Sequence, residues 1–557
     1  MDYYKTFTTF MPNRDVHLKY FSNRLLYILE NLSSFIECKE VNLNTTSLVY
    51  SFEHNYKAII VALSNFIPEE QRKNLWLYEW NNDIFRNQLY DLLISLDQPH
   101  LILWFFLHCG YFEFKEHSQE LSRLESNMDF LIEKDLKFRD INILYNHLLG
   151  RNLLPLFSLT YRNQSNKNIF IKREQFYREI CSDLTYSGGK KSITQIGKRR
   201  IGFISDFLCL DSSVLRDRMG IIKNLSREDF EVFILVHGKP ENINTQLAKS
   251  LKDAHLEEYV FLPKYLSDSR EKISSLELDI LVFCEIGMSV KNFLLGFSRL
   301  APIQITTWGH SDTSGLSTID YYVSSNYFEL NGDEHYSEKL LKMNSLGTYY
   351  YKPSKLLWDE SYKILDRKNY NLDDELNIYG CIQSSFKITE EFEDILVKIL
   401  ENDPKAKIIL SNNVPFCRSH ILRLKNKMGE NYTRISLFPN LQPNSYLNLI
   451  YLCDIILDPY PFGGCNTSFE AFEFNIPVVT MPTKFINGRF TYGLYKKMNI
   501  LKTVVSNSDE YLDVCLKYGR DKIELDELKA DIDNNKHLIF EEQDSIDEWS
   551  QLLLKLE

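Results

Sequence analysis

The sequence predicts an α/β protein with two Rossmann-like halves in tandem behind an all-helical N-terminal region. Three observations predict it. From residue 201 onward short apolar runs alternate with helical patterns, a polar stretch at 354–376 divides that series in two, and the chain before about residue 186 carries helical periodicity only. At 557 residues the chain is also longer than one hydrophobic core normally serves.

The elements follow in order. In residues 1–186, apolar side chains recur every three or four positions, as in HLKYFSNRLLYILENLSSFI, IFRNQLYDLLISL and FLIEKDLKFRDINILYNHLLG. This region reads as an accessory domain or a plain stabilising cap, and it lacks a tetratricopeptide signature. Residues 187–200, from Ser187-Gly188-Gly189-Lys190-Lys191 to Arg199-Arg200, are poor in large apolar residues and mark a boundary. Residues 201–353 hold the runs IGFISDF, EVFILV, YVFLP, DILVFCEIG, PIQITTWG and YYVSS, read as strands of a first half. After the linker at 354–376, residues 377–524 hold NIYGCIQ, AKIILSN, RISLFP, DIILDP and PVVTMP, the strands of a second half. Residues 525–557 form a helical tail. Two doubly wound halves of this kind place a ligand at the carboxyl ends of their strands, in the cleft they share.

Composition narrows the function. Hydrophobic residues at 44% and charged residues at 25% are those of a folded globular chain. A net charge of -12 argues against a protein that neutralises nucleic-acid phosphates or anionic lipid. The ten cysteines include no CxxC pair, which fits a reducing compartment. The start MDYYKTFTTFMPNRD lacks the pattern of a signal peptide, and the longest apolar run, Leu101 to Cys109, is far short of the roughly 20 residues that span a bilayer. A cytoplasmic protein without membrane insertion is therefore expected, of open oligomeric state.

Three segments carry chemistry. In DIILDPYPFGGCNTSFEAFEFNIPVVTMP a strand runs into Gly463-Gly464, and Asn466-Thr467-Ser468 then opens a helix bearing Glu470. Glycines allow close backbone approach, while a helix start offers unpaired N–H groups and a positive dipole end, so the segment reads as a diphosphate cradle. Glu470 stands where it could accept bonds from ribose hydroxyls, and an ordinary glycine loop with an Asn cap is the alternative. In YGCIQSSFKIT a strand ends at a turn with Gln383 and Lys387, and a lysine there can neutralise a departing phosphate or simply sit on a solvated surface. In RLAPIQITTWGHSDTSGLSTIDYYVSS a strand is followed by a loop dense in hydrogen-bonding groups, with His310 near Asp312.

In this order and at these separations the segments resemble the catalytic region of the O-linked N-acetylglucosamine transferases, glycosyltransferase family 41, over roughly Ile201 to Leu501. The bacterial-type branch is the nearer one, and the chain is also similar to bacterial cytoplasmic enzymes that glucosylate asparagine on adhesins. The resemblance implies a GT-B fold, a UDP-sugar donor, inverting transfer without a metal or other cofactor, and a polypeptide acceptor. It implies that Lys387 stabilises the leaving diphosphate and that Gln383 contacts the ligand nearby. Asn466, Thr467 and Ser468 would bind phosphate at the helix start, Glu470 would hold the ribose, Tyr446 would stack on uracil, and Leu441 would offer backbone groups to the base. The first loop, SDFLCLDSSVLRD, departs from the pattern, with Leu210, Asp211 and Val214 where relatives carry histidine, and Pro443 replaces a basic residue near the uracil.

In-line displacement needs a positive group at the departing phosphate and a base at the acceptor. Deprotonation falls to Asp211 or His310, ranked level, or more weakly to Glu285. The leading expectation is transfer of GlcNAc or glucose to Ser or Thr. Transfer of glucose to Asn comes second, a GDP-sugar enzyme third, and a non-catalytic nucleotide-binding protein is the alternative of another class.

Overall fold

The computed structural model describes residues 86–87, 90–91, 94, 100–107, 117–149, 156–194, 196–209, 212–239, 243, 258–330, 332–353, 364–411, 418–438 and 441–557. The helical expectation for residues 1–85 and the candidate base Asp211 lie outside the described residues. The chain divides into two compact units: Met1–Leu107, Glu116–Asn127 and Asn146–Asn152 form one, and His108–Lys115, Met128–Tyr145 and Leu153–Glu557 the other.

The described part of the first unit is helical, with α1 (His100–Leu107) and the start of α2 (His117–Glu133). Asn127 Nδ2 and Arg123 Nη1 donate to the Phe106 carbonyl at 2.9 and 3.4 Å, satisfying an acceptor that the last turn of a helix leaves open. The second unit takes the end of α2, the start of α3 (Ile141–Leu149), whose last residues belong to the first unit, and α4 (Lys167–Ile180).

The first half of the second unit is a seven-stranded sheet of order β3-β2-β1-β4-β5-β6-β7. Its strands are β1 (Arg199–Ile204), β2 (Phe230–His237), β3 (Tyr259–Leu262), β4 (Ile280–Phe283), β5 (Ile303–Thr307), β6 (Tyr321–Ser325) and β7 (Lys339–Met343), all parallel. Helices α5 (Ser213–Asn224), α6 (Leu266–Ser275) and α7 (Val290–Gly296) make crossovers. Strands covered on both faces must be apolar throughout, which is why β4 reads ILVF and is wholly buried. Strand β7 was not expected, because KLLKM lacks the continuous apolar run of its neighbours. It is an edge strand, and its lysines suit an edge that must not pair further.

The second half is a five-stranded parallel sheet of order β10-β9-β8-β11-β12, made of β8 (Asn377–Cys381), β9 (Ala406–Ser411), β10 (Ile435–Phe438), β11 (Ile455–Leu457) and β12 (Val478–Val479). Helices α8 (Glu390–Asn402), α9 (Arg418–Met428), α10 (Pro443–Leu452), α11 (Asn466–Glu473), α12 (Phe490–Met498), α13 (Ser508–Arg520) and α14 (Lys522–Asn535) surround it. The strand order reverses between β8 and β11, so the turns after these strands flank the crevice where doubly wound sheets bind ligands.

The expected helical tail contains α14 and a last helix, α15 (Gln543–Lys555), and α15 returns to the first half. There Trp549 joins the core of the seven-stranded sheet and donates its Nε1 to the Gly347 carbonyl at 2.9 Å. Arg218 lies 4.0 Å from the Trp308 ring centroid and 5.8 Å from that of Trp549. Glu548 accepts from the backbone N–H of Asn344 and Ser345. The glycine-rich stretch before β1 is tied to the sheet by Asp279, which accepts from Lys190, from both the N–H and hydroxyl of Thr194, and from Arg200 N–H.

Candidate active site

The turns after β8 and β11 meet at the crevice. Asp458, one residue past β11, is buried and accepts from Gly464 N–H at 2.6 Å and from the Thr480 hydroxyl at 2.7 Å. Burial pushes its carboxyl above the usual range. The glycines are needed for this closure: a Cβ on Gly463 would stand 2.8 Å from Asp458 Oδ2, and one on Gly464 2.6 Å from Gln383 Nε2. Asp458 thus shapes the loop from inside the strand end, a role the sequence analysis missed although DIILDP displays the residue.

The loop delivers the chain to α11, where Ser468 N–H donates to the Cys465 carbonyl at 3.0 Å and the N–H groups of Asn466 and Thr467 precede the first intrahelical bond. Asn466 Oδ1 accepts from the Tyr350 hydroxyl at 2.5 Å, and Tyr350 stacks on Phe469 with ring centroids 3.9 Å apart. Thr467 and Asn466 line the cavity of the cleft, whereas Ser468 is buried behind it, its hydroxyl 2.7 Å from that of Thr491.

Lys387 closes the turn after β8. Its Nζ donates to Gln383 Oε1 at 2.7 Å and to the Gly463 carbonyl at 2.8 Å, and it lies 4.5 Å from the Phe462 ring centroid. Burial pulls the ammonium down to about 8, against the opposing pull of Asp458. The lysine therefore bridges the β8 turn and the β11 loop as a cation held by neutral acceptors, which an anion can displace or join.

Beside the start of α11, Tyr446 projects from α10 and donates to Glu470 Oε2 at 2.9 Å, with its oxygen 3.2 Å from that of Thr467. Glu470 is 1% exposed and takes a second bond, at 2.8 Å, from Arg216 Nη1 on α5 of the opposite half. Both carboxylate oxygens are thus engaged, and Glu470 lies behind the cavity wall that Tyr446 forms. The Arg216 partnership was not foreseen, since nothing local links SVLRD to FEAFE. Leu441 packs at the margin of the second half's core.

The first half contributes the loops after β4 and β5. Glu285 accepts from the N–H of Met288 and Ser289 and from Asn292 Nδ2, so it serves the start of α7. Burial pushes its carboxyl up to about 8. His310 is buried, with Nε2 3.1 Å from the Thr160 hydroxyl and Nδ1 without a hydrogen-bond partner. Burial, and secondarily the Arg173 guanidinium, pull the imidazole down to about 3. Gly287, at φ +130°, makes room for the ring, because a Cβ there would be 2.7 Å from Nδ1. Asp312 accepts from Asn166 Nδ2 at 2.7 Å, and burial pushes it up to about 6.

Thr160 and Asn166 belong to a strap, residues 156–166, that crosses the mouth of both halves. The turn Phe157–Tyr161 places Tyr161 against Phe462 and Phe386, with ring centroids 4.5 and 4.7 Å apart. Asn487 Nδ2 of the second half donates to the Thr160 carbonyl at 2.6 Å, and Asn163 Nδ2 to the Tyr460 hydroxyl at 2.9 Å. The sequence analysis assigned this stretch to the helical region. Its only signal is the run LFSLTYRNQSN, where hydroxyl, amide and aromatic residues interrupt the helical pattern.

Together these groups enclose a cavity of about 360 Å³. Of the residues expected at the site, Lys387, Gln383, His310, Tyr446, Gly463, Asn466 and Thr467 line it, joined by Phe157, Thr160 and Tyr161 of the strap. Gly464, Ser468, Glu470 and Leu441 do not. Among the described residues no group of three or more His, Cys, Asp or Glu side chains could hold a metal ion, and no helix is long and apolar enough to cross a membrane.

Residues 358–543, which carry Lys387, the glycine loop and α11, match the model of glycosyl transferase family 41. Over those residues the chain is similar to the family 41 glycosyltransferases. It is 26% identical over 275 residues to a tomato (Solanum lycopersicum) SPINDLY protein, described as a probable UDP-N-acetylglucosamine–peptide N-acetylglucosaminyltransferase, covering 47% of this chain and 28% of that protein. It is 25% identical over 259 residues to a UDP-glucose:protein N-beta-glucosyltransferase of Actinobacillus pleuropneumoniae serotype 5b (strain L20), covering 45% of this chain and 40% of the relative. The match thus spans less than half the length of these curated relatives. Among solved structures, a mutant of the Thermobaculum terrenum O-GlcNAc transferase superposes with a TM-score of 0.62 at 19% identity, over 98% of this chain and 97% of that one. The expected α/β fold, of the GT-B type with parallel sheets and flanking helices, is therefore the fold observed.

Proposed function

We propose that this protein is a UDP-sugar-dependent protein glycosyltransferase that moves GlcNAc or glucose, with inversion, to a Ser or Thr hydroxyl of a polypeptide. The observation that carries the reading is the meeting of Lys387 with the glycine loop and the start of α11 at the strand-order reversal of the second sheet. The relatives' described activities, with UDP-N-acetylglucosamine and UDP-glucose, support the donor class.

In this mechanism the diphosphate lies against the N–H groups of Asn466 and Thr467 and draws Lys387 Nζ away from Gln383 and Gly463. The acceptor oxygen attacks the anomeric carbon from the face opposite the bond to phosphate. As that bond breaks, its electron pair goes to the phosphate oxygen, where the ammonium meets the growing charge. Tyr446 flanks the nucleoside, and Glu470 receives ribose hydroxyls once Arg216 or Tyr446 yields a carboxylate oxygen. The acceptor proton leaves toward the first half, where Asp211 and His310 are the proposed recipients, His310 acting from its neutral form. The second reading, glucose transfer to an Asn amide, is favoured by the similarity to a UDP-glucose:protein N-beta-glucosyltransferase.

The test is ligand-dependent thermal stabilisation with UDP, GDP, UDP-GlcNAc, UDP-glucose and GDP-fucose. A ligand at 100 times its Kd adds about 2.7 kcal/mol. A UDP-selective shift that Lys387→Ala weakens supports the reading, and no shift with any nucleotide moves the assignment to a non-catalytic member.

A further inference from the structure

The strap residue Thr160 does more than fill space. Its hydroxyl oxygen lies 3.1 Å from His310 Nε2 and 3.4 Å from Asp312 Oδ2, and it has one proton to give. The Asp312 carboxylate is otherwise met by donors only, Asn166 Nδ2 at 2.7 Å and Thr313 N–H at 2.9 Å, which is the environment of an ionised acceptor. Thr160 therefore donates to Asp312, and its oxygen is left to accept. The hydrogen on that side must come from His310, so Nε2 carries the proton and the lone pair stands on Nδ1. Nδ1 is the nitrogen with no hydrogen-bond partner, in the space that Gly287 keeps open by having no Cβ.

We propose that Thr160 is a positioning residue that holds His310 in the Nε2–H tautomer by linking it to the Asp312 carboxylate. The inference rests on the cleft being the site of transfer, and it assigns to the strap a part in that reaction. Thr160 is itself pinned from the second half, because Asn487 Nδ2 donates to its carbonyl at 2.6 Å. The tautomer of a histidine in the first half thus depends on a segment that both halves grip.

The full chain labelled with ¹⁵N-histidine tests this, since the neutral tautomers differ in their ring-nitrogen shifts. Of its 12 histidines, His310 is assigned by the signal that His310→Gln removes. The parent and Thr160→Ser, which keeps the hydroxyl, should show the Nε2–H pattern. Thr160→Val should show a tautomer mixture or the Nδ1–H form, and Thr160→Ala serves if Val impairs folding. An unchanged His310 signal in the hydroxyl-free variants overturns the proposal. UDP release from UDP-GlcNAc and UDP-glucose is followed in parallel. A fall of about tenfold or more in Thr160→Val, with KM for the donor unchanged and with Ser restoring the rate, is the expected companion result. If the parent itself releases no UDP, the glycosyltransferase reading fails while the tautomer result still stands or falls by its own signal.

Discussion

The two halves of the second unit build their sides of the cleft differently. In the second half the charged and polar groups lie close in sequence to two strand ends: Gln383 and Lys387 follow β8, and Asp458, Gly463, Gly464, Asn466 and Thr467 follow β11. In the first half the corresponding groups are gathered from afar, with His310 and Asp312 after β5 and Thr160 and Asn166 from the strap, while Trp549 of the C-terminal helix completes the core of the same half. A site made of local turns keeps its geometry as long as its own strands pair. One made of remote segments depends on the packing of the whole unit.

Removing Trp549 should break this contrast most severely. Trp549→Ala empties a fully buried site in the first half's core and removes one of the two rings beside Arg218, so a loss of about 3–5 kcal/mol is expected in chemical denaturation. Proteolysis that cuts first within residues 199–343 would locate the damage.

Next comes Lys387→Ala, expected to lower kcat by about 10²–10³ with little change in melting temperature, since the group acts on charge that develops in the transition state. Its pH dependence has a defined sign. Burial holds the free lysine at about 8, so the unliganded ammonium is lost as pH rises through that value, and kcat/KM should fall above it. A bound diphosphate stabilises the charged form and should move the corresponding fall in kcat to higher pH.

Glu470→Ala sharpens the comparison because it cuts a tie between the halves. It leaves Arg216, whose side chain is 17% exposed, without its buried carboxylate. A destabilisation of about 2 kcal/mol is expected, below the range for a fully buried pair because solvent reaches the arginine. Loss of the UDP-dependent thermal shift should accompany it. The smallest effect belongs to Tyr350→Phe, which removes one hydrogen bond to Asn466 and should cost about 1 kcal/mol in stability and a modest rise in donor KM.

How much of this was legible follows from the same contrast. The glycines, Asn466 and Thr467 stand beside a strand run in one continuous segment, so their proximity needs no tertiary knowledge. Gln383 and Lys387 lie just beyond a second apolar run, and the doubly wound pattern alone brings that turn to the first. The Arg216–Glu470 pair joins residues 254 positions apart, and Thr160 meets His310 across 150. No periodicity or motif encodes such pairs, because each depends on where whole layers come to rest. Strand β7 went unread because edge strands relax the demand for continuous apolarity.

The sequence by itself determined the two parallel sheets in tandem and the turns that carry Lys387 and the paired glycines, because apolar runs of strand length, their spacing and glycine's small size act locally. Only the tertiary structure decided that Glu470 is tied to the opposite half, that the last helix packs under the first sheet, and that a strap from the helical region controls the surroundings of His310. Those outcomes rest on burial and on hydrogen-bond partners brought together from distant parts of the chain.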